Sequence, residues 1–418
     1  MSKTYTRREF LKNSLYGAGA IALGMNSCSR NTDYKVGREI VDGVESISNP
    51  REPFYGESGS LEKVFHLGVE TVAKGDEDNP SFFAGIKRGF VKDDLIYAVD
   101  SLNSQVRIFD VNGNHRSTFG RKGEGPSEFN RPFEIYVDDN RFTYVQDNTQ
   151  KMSIKVFDDK NVYRSQHKIR EMFGSLDIFG FVALNPEDLI LQVYRYPKIP
   201  LEERKFFART TNPGEFFGPF REYKGLRKSL DRLARDGRPA SDYGFFFTRG
   251  SLFLDESESG QALYSSRRAF PSEIIIQSLD ADPFRIIKRE PSEGGLIKYL
   301  DVSRDDPNRR DIRDMTDANV VEAKVPEGIT RRFYFSERGL GIHNNEENIF
   351  AVWRKLVDGE KPRHYVDIYD KGEGKYLYRV PFDIDLGNFL GMDGDNNLYF
   401  GFDTPYPHIA GYSINLEK

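Results

Sequence analysis

One pattern is written twice between residues 95 and 166, as LIYAVDSLNSQVRIFDVNGNHRSTFG from Leu95 and FTYVQDNTQKMSIKVFDDKNVYRSQ from Phe142. Each copy has an aromatic-bearing strand, an Asp-containing loop, a second strand ending in Phe-Asp, and a polar turn. A fixed-period repeat constrains architecture more than any single motif, because each unit must bury its faces against its neighbours.

The pattern extends along the chain. Its second strand recurs as LIYAV, FTYVQ, LILQV, ALYSS, IFAVW and LYFGF, beginning at Leu95, Phe142, Leu189, Ala262, Ile349 and Leu398. A polar turn precedes each, from Lys92-Asp93-Asp94 in the first to Asp393–Asn397 in the last, so every unit opens with a hairpin signal. Third strands follow as VRIFD, IKVFD, KFFAR, EIIIQ, YVDIY and GYSIN. Fourth strands follow in five units as STFG, YRSQ, FGPFREY, FRIIKRE and YLYRV. Four antiparallel strands per unit is the blade of a β-propeller, so the expected fold is an all-β, six-bladed propeller. The sixth unit ends at Lys418 after three strands. An open edge there is a liability, and Leu61–Leu67 reads as an N-terminal strand that closes this last blade. A composition with 13% aromatics, 33 of them Phe and 22 Tyr, suits half-buried pleated surfaces. A single Trp and the lack of WD and GH signatures argue against the WD40 type.

The second strands are spaced 47, 47, 73, 87 and 49 residues apart. The two long intervals place inserts near 222–246 and 289–333. The first contains Leu226, Leu230 and Leu233 at helical spacing; the second is strongly charged around Asp301–Asp314.

Thr6-Arg7-Arg8-Glu9-Phe10-Leu11-Lys12 precedes a mild apolar run from Leu15 to Met25. Arg7 and Arg8 followed by Phe-Leu-Lys read as a twin-arginine export signal, and the run is too short to span a bilayer, which takes ~20 residues. The chain's one cysteine, Cys28, follows immediately, and Met25-Asn26-Ser27-Cys28 resembles a degenerate lipobox. The expected organisation is therefore a signal peptide over 1–27, a tether over 28–58 behind a lipidated Cys28, and the ring over 59–418. Localisation is then exported and lipid-anchored, in the periplasm or at the outer membrane or cell surface, with no transmembrane helix. Having no other cysteine, the fold must be held by its core rather than by disulfides.

The formal net charge of −5 excludes a general nucleic-acid binder, which needs a basic face. In propeller geometry the loops between second and third strands and between blades emerge on one face. Both inserts fall there. So do candidate ligand contacts Asp100, Asn103, Arg131, Asp147, Arg195, Tyr196, Arg267, Arg354, Tyr406 and His408, of the Arg and aromatic types that recognition surfaces favour. Gly120, Gly123 and Gly125 lack the Lys-Ser/Thr of a phosphate loop and read as turn glycines. GxSxG, HExxH and Walker A motifs are absent from the sequence.

The stretch Phe119–Asp158, with its Phe-Gly, glycine-rich segment, Phe and Pro, alternating strand, Tyr-Val and Asp-Asn, resembles an NHL-type repeat. The whole chain resembles six-bladed propellers of the NHL/TolB-like group, often exported bacterial lipoproteins. That resemblance implies ligand or protein binding in many members and catalysis in some. The first reading is a binding or scaffolding module for an envelope protein, peptide or glycan, with no cofactor. The alternative is a metal-dependent lyase or lactonase-type hydrolase at the channel mouth. Zinc would need about three of His66, His115, His167, His343, His364 and His408 to converge. Calcium would need oxygens such as those of Asp393-Gly-Asp-Asn-Asn397, although Asp-Gly there also reads as ordinary turn chemistry.

Overall fold

The computed structural model describes residues 34–41, 43–71, 79–149, 152–174, 177–194, 205–213, 216–219, 250–255, 261–267, 270–279, 283–291, 297–303, 329–335, 337–355, 362–382 and 387–416. The chain opens with a hairpin, β1 (Gly37–Val41) and β2 (Val44–Asn49), then β3 (Ser60–Leu67). Blade one is β4 (Ile86–Lys92), β5 (Leu95–Asp100), β6 (Gln105–Asp110) and β7 (His115–Phe119). Blade two is β8 (Pro132–Val137), β9 (Thr143–Asp147), β10 (Ser153–Phe157) and β11 (Tyr163–Lys168), followed by the short helix α1 (Ile169–Phe173). Blade three is β12 (Asp177–Asn185), β13 (Asp188–Tyr194), β14 (Lys205–Arg209) and β15 (Phe216–Pro219). Blade four is β16 (Gly250–Asp255), β17 (Ala262–Arg267), β18 (Phe270–Ser278) and β19 (Pro283–Arg289). After the pair β20 (Ile297–Ser303) and β21 (Ile329–Phe335), blade five is β22 (Glu337–Asn344), β23 (Asn348–Lys355), β24 (Arg363–Asp370) and β25 (Tyr376–Phe382). Blade six is β26 (Asn388–Met392), β27 (Leu398–Phe402) and β28 (His408–Asn415).

The molecule is a six-bladed β-propeller. Each blade is an antiparallel sheet in sequence order, and the innermost strands β4, β8, β12, β16, β22 and β26 touch one another in that cyclic order. The core lies in wedges between successive blades, which explains the aromatic content. A wedge widens toward the rim and needs large flat side chains to fill it, such as Phe119, Phe129 and Phe157 between blades one and two, with ring centres 4.8–6.3 Å apart. Blade six lacks an outer strand of its own and takes β3, which pairs antiparallel with β28 from Leu67↔Ile409 to Ser60↔Asn415. This closes the ring, and Phe65 and Leu67 enter the wedge between blades six and one beside Leu390, Tyr399 and Ile409.

The tether expected over 28–58 is corrected from Tyr34 onward, where the chain is part of the fold. Strand β2 runs parallel to β19 and extends blade four to six strands, with β1 outermost. Val44 and Ile47 are buried against it. Asn49 ties blade four to blade five, donating to the carbonyls of Lys288 (3.1 Å) and Gly374 (2.9 Å) and accepting from the Tyr376 N–H (2.9 Å). The backbone of Phe54, Tyr55 and Ser58 then bonds along β25. Residues 34–67 therefore form a belt over the outer edges of blades four, five and six.

The charged insert expected over 289–333 is shifted slightly, lying between β19 and β22. Arg289 ends β19 and is fully buried. The insert contributes the ladder β20–β21, paired from Ile297↔Phe335 to Ser303↔Ile329. Residues 304–328, the insert at 222–246, and Arg7, Arg8 and Cys28 lie outside the described residues.

Candidate functional site

The six innermost strands enclose a cavity of about 160 Å³ on the ring axis. Five of the six, in blades one, two, three, five and six, carry a register shift against their neighbours, for example between Ile86 and Arg88 and between Pro132 and Ile135. An extra residue in a strand breaks the in-out alternation and re-aims side chains. Glycine keeps the bore open where the strands crowd: a Cβ on Gly341 would lie 2.0 Å from the Phe389 ring, and one on Gly89 would lie 2.6 Å from the Tyr97 carbonyl oxygen.

At one end of this cavity three blades contribute a polar group. Arg88 on β4 donates through Nε to Glu134 Oε2 of β8 (3.0 Å) and through a terminal nitrogen to Asn388 Oδ1 of β26 (3.2 Å). Its guanidinium lies 5.3 Å from the centre of the Phe133 ring. The Arg88 and Glu134 side chains keep 23% and 21% of their surface open, so solvent screens the pair and it contributes about 1 kcal/mol or less to stability. Farther along the bore, His343 donates from Nδ1 to its neighbour's carbonyl, Asn344 O, at 2.8 Å. Its ring packs 4.2 Å from that of Phe253. That bond fixes the tautomer and leaves Nε2 as an acceptor. Burial pushes the imidazole down to about 4, so it is neutral at pH 7.

Arg88, Glu134 and Asn388 lie at the end of the ring where β5 and β9 finish, since Ile86 pairs with Asp100 and Pro132 with Asp147. This is the face picked out from loop composition. The individual residues behave differently. Asp100 is fully buried and accepts from the backbone N–H groups of Ala84, Gly85 and Asn103 at 3.2–3.3 Å, with the Arg107 guanidinium 3.3 Å away. Asp147 repeats the role in blade two, accepting from Asn130 (3.2 Å) and Arg131 (2.7 Å) N–H groups with Lys155 4.0 Å away. Both carboxylates pin the segment entering their own blade and are spent on it, so neither is a ligand contact. Asn103 bonds Asp100 through its side chain at 3.0 Å, and Arg131 offers Asp147 its backbone while its side chain is exposed.

Arg354 stands in register with Arg338 and His364 on the face of blade five that meets blade six, half-buried rather than on the open mouth. Burial, with Arg354 adding to it, pushes His364 down to about 4. Tyr406 and His408 do come together, joined by His66 of β3: the His66 and His408 rings are 5.1 Å apart, and His66 Nε2 meets the Tyr406 hydroxyl at 3.2 Å. Arg267 ends β17 opposite Gly250. Arg195 and Tyr196 lie outside the described residues. His343 stands among the histidines weighed for zinc, whereas Arg88, Glu134 and Asn388 are the cavity residues that loop composition passes over. Their signal is a charged or amide group near the start of an inner strand, in IKRGFV, PFEIYV and NFLGM.

The histidines scatter. His115 bonds Thr118 and His167 bonds the Pro186 carbonyl, both on outermost strands, and among the described residues no three or more of His, Cys, Asp and Glu gather as a metal would require. The Asp393 carboxylate accepts from the N–H groups of Asp395 and Asn397, the Asn397 amide and the Tyr399 hydroxyl at 2.8–3.0 Å, which is turn chemistry. The glycine-rich loop is likewise a structural turn: Gly125 N–H donates to Glu128 Oε2 (2.9 Å), and Gly120 (φ +87°) leaves no room for a Cβ, which would fall 2.4 Å from the Phe129 ring.

Comparison with known proteins fits this architecture. Residues 81–166, blades one and two, match the family DUF5128, described as a 6-bladed beta-propeller. Among solved structures, the chain is similar to a protein of Bacteroides fragilis described as exported (13% identity, TM-score 0.52, covering 89% of this chain and 100% of that one). It is also similar to a DUF4221 family member of Bacteroides vulgatus (10% identity, TM-score 0.51, 86% and 99% covered). At such identities the likeness concerns the fold. No curated protein matches the chain.

Proposed function

We propose that this propeller is an exported ligand-binding module whose site is the axial cavity and its mouth at Arg88, Glu134 and Asn388. The observation that carries the reading is the convergence of these three groups, from blades one, two and six, on an enclosed space. Function on a propeller lives in such a site rather than in the fold. Binding is supported by what lines the cavity: Arg, Glu, Asn and one neutral His among aromatic, aliphatic and glycine positions. The test is native mass spectrometry of the full chain purified from its own envelope fraction. A bound small-molecule mass is expected on the parent and lost from Arg88→Ala. The same adducts on both proteins, or none on either, would defeat the reading.

Export through the Arg7-Arg8 signal and lipidation of Cys28 belong to the same proposal. The described residues contain no helix long and apolar enough to cross a membrane, and the Bacteroides fragilis neighbour is described as exported. The belt adds a distance. Tyr34 is fixed by bonds from its hydroxyl to Asn49 Oδ1 and the Tyr376 carbonyl, each 3.0 Å. Tyr34 is six positions after Cys28, at most about 22 Å of extended chain. A lipid on Cys28 would thus keep the rim of blades four and five within about that distance of the bilayer. Metabolic labelling with a palmitate analogue is expected to mark the parent and leave Cys28→Ser unlabelled; equal labelling of the two, or none of the parent, rejects the anchor.

A further inference from the structure

We infer that the axial cavity takes a single ring of a neutral, polyhydroxylated ligand, that is, one saccharide unit. This rests on the ligand-binding reading above and names the class of ligand. Size is the first argument. The cavity holds about 160 Å³ and is open at its mouth, so the space suits one small ring whose substituents reach the mouth.

Charge and hydrogen bonding choose among rings. Arg88 and Glu134 lie 3.0 Å apart and cancel, so an anion drawn to Arg88 meets the Glu134 carboxylate, and a cation drawn to Glu134 meets the guanidinium. A hydroxyl is donor and acceptor at once, and it satisfies both members of such a pair without adding charge. Asn388, 3.2 Å from Arg88, supplies an amide of the same dual character. His343 also lines the cavity, and its Nδ1 is spent on the Asn344 carbonyl, so its other ring nitrogen is an acceptor. The walls between are Phe and Leu side chains and bare glycine backbone, which suit the C–H faces of a sugar. A wholly apolar ring would desolvate the Arg88–Glu134–Asn388 group without replacing its water, which disfavours it.

The experiment is saturation-transfer NMR and calorimetry on the full chain. The probes are methyl glycosides of neutral hexoses, the corresponding uronic acids and amino sugars, and cyclohexanol as an apolar ring. At least one neutral glycoside is expected to bind, with its uronic acid, amino sugar and cyclohexanol at least tenfold weaker. Glu134→Gln and Asn388→Ala are each expected to weaken it at least tenfold, with parental circular dichroism and melting confirming the fold. Two different variants protect the result against one failing to fold. Tighter binding of a charged or apolar ring overturns the inference, and so does failure of every neutral glycoside at millimolar concentration. If the native adduct described above still disappears in Arg88→Ala, only the ligand class has failed and the binding reading survives; if no adduct exists, the reading itself has failed.

Discussion

A chain starting after Leu67 is expected to express as insoluble protein with no cooperative melting, whereas one starting at Gly59 folds and melts well below the parent. The first deletion removes β3, the fourth strand of blade six. It exposes the whole β28 edge, a template for aggregation, and withdraws Phe65 and Leu67, 9% and 5% exposed, from the wedge that joins the last blade to the first. Emptying two such positions costs roughly 2–5 kcal/mol each, against a total stability of about 5–15 kcal/mol for a typical fold. Blades six and one would then be joined only by their inner strands and by the bonds of Ile86 to Asp403 and Arg88 to Asn388. The second deletion leaves β3 in place but strips Val44, Ile47 and the four hydrogen bonds of Asn49 from the junction of blades four and five. That weakens a junction and leaves the ring closed. Soluble yield and thermal circular dichroism check both. A Leu67 deletion that melts cooperatively near the parent temperature would remove β3 from its role as the closing strand.

The contrast between the two segments also shows what the sequence makes legible. Strand β3 announces itself because the sixth unit visibly lacks a strand and Leu61–Leu67 has aromatic and aliphatic residues to supply one. The β1–β2 hairpin does not. Its buried positions include Ser46 and Asn49 beside Val44 and Ile47, since a strand added outside a blade packs one side only and takes much of its stability from backbone pairing. Before folding, such a segment reads as a polar tether. The six second strands are legible to within a residue because each follows a polar turn and is covered on both faces by neighbouring blades.

The site is less legible for a related reason. Loop composition points to the end of the ring where Arg88, Glu134 and Asn388 lie, yet Asp100 and Asp147 are conspicuous there because blades one and two use them to hold incoming backbone. Residues that recur at equivalent repeat positions serve the repeat. Those that depart from it, as Arg88, Glu134 and Asn388 do, serve the individual molecule. They are hard to find because the strand irregularities at the inner wall break the alternation that would show which side chains face the bore.

The third strand carries one more departure, and it supports the other large effect. Arg107 and Lys155 occupy the middle of β6 and β10; the equivalent residue of β24 is Asp367. It is fully buried between Arg289 Nε (2.7 Å) and Arg379 Nε (3.0 Å), with the Tyr376 hydroxyl at 2.6 Å. Arg289 also holds Glu337 at 3.1 Å, and both guanidinium groups lie over Trp353, at 4.3 and 5.1 Å. Asp367→Asn is expected to destabilise the protein by about 3–5 kcal/mol, because removing one charge strands its partners in a dry site. Burial alone would raise the Asp367 carboxyl, but Arg379 and Arg289 outweigh it and hold the group below the usual carboxylate range. A depressed folded-state value stabilises the fold above the unfolded value of about 3.9, and this contribution disappears as pH falls through the folded value. The parent should therefore lose stability on acidification below about pH 4, and Asp367→Asn, already lacking the charge, should lose less over the same interval. Urea unfolding at pH 7 and down through pH 3 measures both quantities. A variant within about 1 kcal/mol of the parent at pH 7, or one with the same acid slope, would show that this cluster does not hold blades four and five together.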